Sequence, residues 1–229
     1  MTAVPDIHLH VDVPRGEVRA AVLIMHGGAE FGRESTSHRQ PSVLRLLPLA
    51  WSLRRAGRGH GLAVWRLRYR VRGWNGAEQS PVADAREALA RIEAAYAGVP
   101  IALVGYSMGG RTAMHVADDP AVTVVVALAP WLTPIEPVDG LTGRHVLFAH
   151  GTEDTQTDPR ATAAFAQRAR PLATSWALVA VRGDTHALLR RARLWHRLTT
   201  RFVLDRLGLV PLPASLAAID AGDGAAVEL

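Results

Sequence analysis

The chain alternates short, β-branched apolar runs with longer stretches of helical periodicity, and that alternation restricts it to a sheet of mostly parallel strands covered by helices. The runs fall at residues 18–25, 61–68, 100–106, 122–129, 144–149 and 175–181, each short and bounded by Gly, Pro or Asp. Their apolar residues are continuous rather than alternating, which means burial on both faces and a doubly wound α/β sheet. Residues 7–13 read differently. There Ile, Leu, Val and Val alternate with His and Asp before a turn at Pro14 to Gly16, so an antiparallel edge strand is expected ahead of the parallel set. Helices are expected at about residues 43–56, 82–96, 108–117, 159–169 and 187–207, enough to cover both faces.

A chain of 229 residues with 48% hydrophobic composition can bury one sizeable core. Residues 1–210 are therefore expected to form one domain. From Pro211 to Leu229 the chain is rich in Ala, Gly and Asp, and this stretch is expected to be a flexible C-terminal tail. No run approaches the roughly 18 apolar residues of a membrane span, and residues 1–10 hold no basic segment followed by an apolar one. A soluble, cytoplasmic protein is the expectation, with no membrane partner. Cysteine is absent, which excludes disulfides, thiolate metal ligands and a cysteine nucleophile. The net charge of +5 comes from 26 basic residues, all Arg, against 21 acidic ones. These arginines are scattered, and the dense group from Arg190 to Arg201 falls at helical spacing as the wet side of an amphipathic helix, so no nucleic-acid partner is expected.

The most informative segment is Gly105-Tyr106-Ser107-Met108-Gly109-Gly110, which follows an apolar run and opens a helical stretch. In Gly-x-Ser-x-Gly the serine sits at a tight strand-to-helix turn, so its neighbours two positions away must lack bulk. Such a turn lifts the Ser107 hydroxyl clear of the sheet. It also places it at a helix N-terminus, where the Met108 N–H and the positive dipole end favour developing negative charge. A serine nucleophile needs a base, and the base needs an acid to hold its tautomer. Asp154 follows one apolar run and His186 another, both just past the ends where an open parallel sheet gathers its ligands. The order along the chain is Ser, Asp, His. Glu153 and Asp158 are rival acids, His150 and His115 rival bases, and Asp184 stands too near His186 in sequence to orient its ring easily.

With these residues the chain resembles an α/β-hydrolase over about residues 18–207. It is most similar to minimal, lidless serine hydrolases of the esterase and dienelactone-hydrolase type, with Ser107 in place of the latter's Cys. His26-Gly27-Gly28 resembles the family's His-Gly turn, which implies a second oxyanion donor at the Gly28 N–H, with Ala29 next. Residues 68–75 resemble the loop after the following strand. Residues 129–144 leave room only for a short loop where lidded members carry a cap. The resemblance implies a serine hydrolase cleaving a carboxylic ester, thioester or lactone of a small acyl substrate, with catalytic Ser107, Asp154 and His186 and with no metal or organic cofactor. The same triad can also serve acyl transfer, C–C cleavage or cyclisation, and a silent binding module is a third reading. Trp74 and Trp131, both following strand ends, are expected to wall the pocket with Ala29. Loop 30–40 reads either as a solvated loop or as a partial lid or recognition surface for a polar or anionic substrate, with Arg33 or Arg39 as the contact. Oligomeric state is not legible.

Overall fold

The computed structural model describes residues 6–219 and 227–228. Its elements run β1 (His8–Asp12), β2 (Ala20–Met25), α1 (Pro41–Leu44), α2 (Leu47–Gly57), β3 (Leu62–Arg68), α3 (Ser80–Ala95), β4 (Ile101–Tyr106), α4 (Met108–Val116), β5 (Val122–Leu128), β6 (His145–Gly151), α5 (Pro159–Ala169), β7 (Ser175–Val181), α6 (Ala192–Arg206) and β8 (Val227–Glu228). The strands make one sheet in the order β1-β3-β2-β4-β5-β6-β7-β8. Among the described strands only β1 is antiparallel, paired with β3 in the register Leu9 to Leu67, as its alternating pattern implied.

Because successive strand residues face opposite sides, each strand feeds two cores. On β4, Ile101 and Leu103 join the core built with Ala85, Leu89 and Ile92 of α3 and Phe165 of α5. Ala102, Val104 and Tyr106 face the other way, toward Leu49 and Leu53 of α2 and Trp195, Leu198 and Phe202 of α6. Strands β2, β4 and β5 are thus buried on both faces, which is why they carry no polar alternation. The chain passes from β2 outward to β3 and then returns across β2 to β4. The carboxyl ends of β2 and β4 therefore flank the switch in strand order, where open parallel sheets form a crevice.

Two helices differ from the periodicity. The expected helix 43–56 is two, α1 and α2, broken around Arg45 and Leu46, with Pro48 in the first turn of α2 where its missing N–H has no cost. The last helix starts at Ala192 rather than 187, because the buried Asp184 carboxylate accepts the Arg191 N–H at 3.0 Å and holds the preceding residues as a loop. Between β5 and β6 there is only a loop with one 3-10 turn at Asp139–Leu141, and no cap. Past Val210, in the segment expected as a tail, Ala214–Ile219 forms a 3-10 helix that buries Leu216, and Val227–Glu228 pairs in parallel with β7. Among the described residues no helix is long and apolar enough to cross a membrane.

Candidate active site

Ser107 stands between the last residue of β4 and the first of α4 with φ 55° and ψ −118°. A positive φ at a side-chain-bearing residue is strained by roughly 1–3 kcal/mol and persists only where the surroundings enforce it. Here they do. The Ser107 N–H donates to the Leu128 carbonyl at 3.0 Å, and its own carbonyl accepts the N–H groups of Gly110 at 2.9 Å and Trp131 at 3.1 Å. A Cβ at Gly105 would collide with the Gly109 carbonyl, and one at Gly109 with the Met25 carbonyl of the neighbouring strand, so both positions require glycine.

The three side chains separated in sequence meet in one hydrogen-bonded chain. His186 Nε2 lies 3.0 Å from Ser107 Oγ, and His186 Nδ1 lies 2.8 Å from Asp154 Oδ2. The carboxylate needs the proton on Nδ1, which leaves Nε2 as the acceptor facing the hydroxyl. Asp154 is buried, and burial alone would raise its pKa. Hydrogen bonds from His150, His186 and the backbone N–H groups of Thr157 and Gln156 outweigh that and hold the carboxyl well below the ordinary carboxylate range. It is an anion at every working pH. Beneath the base, the Tyr106 hydroxyl donates to the His186 carbonyl at 3.0 Å and its ring centroid lies 5.1 Å from the imidazole.

Two backbone donors flank the serine. Met108 is the first residue of α4, so its N–H has no partner within the helix. Of the two glycine-turn candidates, the Ala29 N–H is already spent on the Arg72 carbonyl at 3.0 Å, whereas Gly28 has no acceptor among the described residues. The turn itself is set by His26. Its Nδ1–H donates to the Gly27 carbonyl at 2.6 Å and its Nε2 accepts the Tyr69 N–H at 3.3 Å.

The rival acids and bases are engaged elsewhere. Glu153 pairs with Arg190, Asp158 caps α5 by accepting the Arg160 N–H, and His115 lies 2.6 Å from Glu136. His150 is different. Its Nε2 is 3.0 Å from the same Asp154 oxygen that meets His186, and its Nδ1 is 2.8 Å from the Thr162 hydroxyl. Thr157 closes the group, with Oγ1 2.9 Å from Asp154 Oδ2 and 3.1 Å from His186 Nδ1. Its signal in the sequence was the short spacing Asp154 to Thr157, an acid whose side chain bonds backbone N–H groups two and three residues on.

The expected pocket walls are not where strand ends alone suggested. Trp74 and Trp131, whose rings meet edge to face, both approach the Arg111 guanidinium, at 4.0 and 4.5 Å from the ring centroids, and neither they nor Ala29 line the cleft over Ser107. Aromatic faces attract a cation that burial has stripped of water, so Arg111 on α4 draws both rings to itself. Arg33 is likewise diverted, ion-paired on the surface to Glu78 at 2.6 Å. The cleft, about 290 Å³, is instead lined around Ser107 and His186 by Gly28, Gln40, Arg45, Arg72 and Gln156. Arg45 and Gln40 come from the α1 region, far from the catalytic loops in sequence, and no local motif could have announced them.

Fold and geometry together define an α/β-hydrolase. A family model described as "Serine aminopeptidase, S33" matches residues 16–145, and the chain belongs to that family. No curated protein sequence matches it. Among solved structures, an alpha-beta serine hydrolase homologue from Coxiella burnetii is 19% identical with a TM-score of 0.63, over 85% of this chain and 90% of that one. Est1E from Butyrivibrio proteoclasticus is 16% identical with a TM-score of 0.66, over 88% and 95%. XC6422 from Xanthomonas campestris, described as an α/β serine hydrolase without lid, is 18% identical with a TM-score of 0.60, over 91% and 90%. These likenesses concern the fold.

Proposed function

We propose that the protein is a serine hydrolase of short carboxylic esters, thioesters or lactones, working through an acyl-enzyme on Ser107. The observation that carries this reading is the unbroken hydrogen-bonded chain from Ser107 Oγ through His186 to Asp154 at a strained turn beside two unengaged N–H groups. His186 Nε2 takes the hydroxyl proton as Ser107 Oγ bonds to the substrate carbonyl carbon, and Asp154 stabilises the imidazolium. The carbonyl electrons move onto oxygen, where the N–H groups of Met108 and Gly28 receive them. Collapse breaks the bond to the alcohol or thiol, which leaves with the proton from His186. Water then repeats the sequence and frees the acid and Ser107. Every transfer has a residue to perform it, so the reaction requires no metal or organic cofactor. A cleft of about 290 Å³ is at the small end for ligand sites and suits a short acyl group.

The test is a comparison of the protein with Ser107→Ala on p-nitrophenyl esters from acetate to decanoate, together with a thioester and a lactone. Turnover is expected to fall by roughly 10³-fold or more in the variant and to favour short acyl chains. A variant that keeps most of the activity overturns the assignment.

A further inference from the structure

The charge surrounding Ser107 narrows the substrate further, an inference that rests on the hydrolytic reading above. Arg45 lines the cleft beside Ser107 and is only partly exposed. One of its N–H groups donates to the Tyr106 hydroxyl at 2.6 Å, and its Cζ lies 5.5 Å from the centre of that ring. Tyr106 immediately precedes the serine and bonds the His186 carbonyl, so the guanidinium is fixed against the catalytic group itself. Arg70, also partly buried, meets Asp84 and Glu87, and Arg111 meets Glu136, whereas Arg68 and Arg144 bond backbone carbonyls instead of carboxylates. Arg45 has none within 4 Å among the described residues. Arg72 adds a second positive charge to the same cleft. Its pairing with Glu34 is long, at 3.4 Å, and exposed, so it neutralises little. Among the described residues lining the cleft, Gln40, Ser42 and Gln156 are uncharged and none is acidic.

A guanidinium at the wall of a cleft without a carboxylate partner keeps part of its planar donor fork available, and that fork matches a carboxylate. We infer that the substrate is a short ester carrying a free carboxylate, received by Arg45 beside the nucleophile and drawn in by the field of Arg45 and Arg72. The same field opposes a cationic substrate. An aminopeptidase must hold an ammonium group, and the residues lining this cleft offer no carboxylate to hold it.

Two isosteric pairs test this: p-nitrophenyl hemisuccinate against p-nitrophenyl 4-methylpentanoate for an anion on the acyl side, and 4-acetoxybenzoate against its methyl ester for one on the leaving group. Acetylthiocholine serves as the cationic ester. In at least one pair the protein is expected to favour the anion by about tenfold or more in kcat/KM, with a smaller preference at 0.5 M salt than at 20 mM. Arg45→Met is expected to remove that preference and Arg45→Lys to restore part of it. Succinate, added without any ester, is expected to raise the melting temperature of the protein but not that of Arg45→Met, a readout independent of turnover. Preference for the neutral member of both pairs, preference for acetylthiocholine, or a ratio unchanged in Arg45→Met overturns the inference. Absence of turnover and of fluorophosphonate labelling at Ser107, with the succinate shift intact, overturns the hydrolytic reading while leaving the anion site standing. Absence of the succinate shift together with that silence overturns both.

Discussion

At the scale of single residues, Asp154 does more than orient one imidazole. Its Oδ2 is shared by His186, His150 and Thr157, and its Oδ1 accepts two backbone N–H groups. His150 can serve the carboxylate only as a donor from Nε2, and its Nδ1 meets the Thr162 hydroxyl at 2.8 Å. Both histidines thus hold the same carboxylate oxygen of Asp154. His150→Ala removes one of several donors and leaves the buried Thr162 hydroxyl without that partner, a loss of about 1–3 kcal/mol. It is expected to lower kcat/KM about tenfold and the urea midpoint measurably, whereas Asp154→Asn lowers kcat/KM by about 10³ or more because the tautomer of His186 is lost. Equal losses in the two variants would show His150 to be as essential as the acid. The sequence made Ser107, Asp154 and His186 legible because each follows a strand end within a recognisable turn. His150 reads only as a rival base and Thr157 carries no reading, since their role exists only once β6 and α5 pack together.

At the scale of elements, the strand–turn–helix from β4 to α4 was legible because its constraints are local: an apolar run, two glycines and a serine. The same packing makes a sharp prediction. Gly105→Ala drives a methyl group into the Gly109 carbonyl, and neither backbone can yield without moving Ser107. Overpacking of this kind costs about 1–3 kcal/mol, with the strained turn as the part able to relax. The variant is expected to lose that much in denaturant unfolding and to lose fluorophosphonate labelling at Ser107, while Gly143→Ala, at a turn with open space, strains only its own φ of 75° and keeps the labelling. Labelling of Gly105→Ala at the wild-type rate would show that the turn does not depend on this contact. The break between α1 and α2 and the loop ahead of α6 were not legible in the periodicity. Both follow from features outside it, Pro48 in one case and the buried Asp184 side chain in the other, whose carboxylate also accepts the Trp195 indole N–H at 2.6 Å. Arg45 reaches the cleft through that same break, so the missed boundary and the missed cleft residue share a cause.

At the scale of the whole molecule, the strand order places β2 and β3 side by side with β4 across the switch, and His26 links the ends of the first two. The ring is buried, and its pKa falls to about 4 because burial disfavours its charged form and Arg68 adds like charge, against the opposing hydrogen bond to the Gly27 carbonyl. Protonation at Nε2 would also set an N–H against the Tyr69 N–H it now accepts. In the unfolded chain a histidine takes up a proton near pH 6.5, so between pH 6.5 and about 4 the unfolded state binds more protons and stability falls as pH falls. From pH 7 to 4.5 this one ring is expected to remove about 2 kcal/mol. His145 and His196, whose values burial also lowers, act in the same direction. Asp154, held far below its ordinary value, contributes stability that is lost only as pH falls below the unfolded carboxylate range. Urea unfolding at pH 7, 6, 5 and 4.5 is therefore expected to show stability already declining between pH 6.5 and 5, before carboxylates titrate. His26→Gln should start less stable at pH 7 yet decline by about 2 kcal/mol less over the same range. A variant whose curve runs parallel to the parent's would place the acid sensitivity elsewhere and remove His26 as the group that ties the glycine turn to the stability of the sheet.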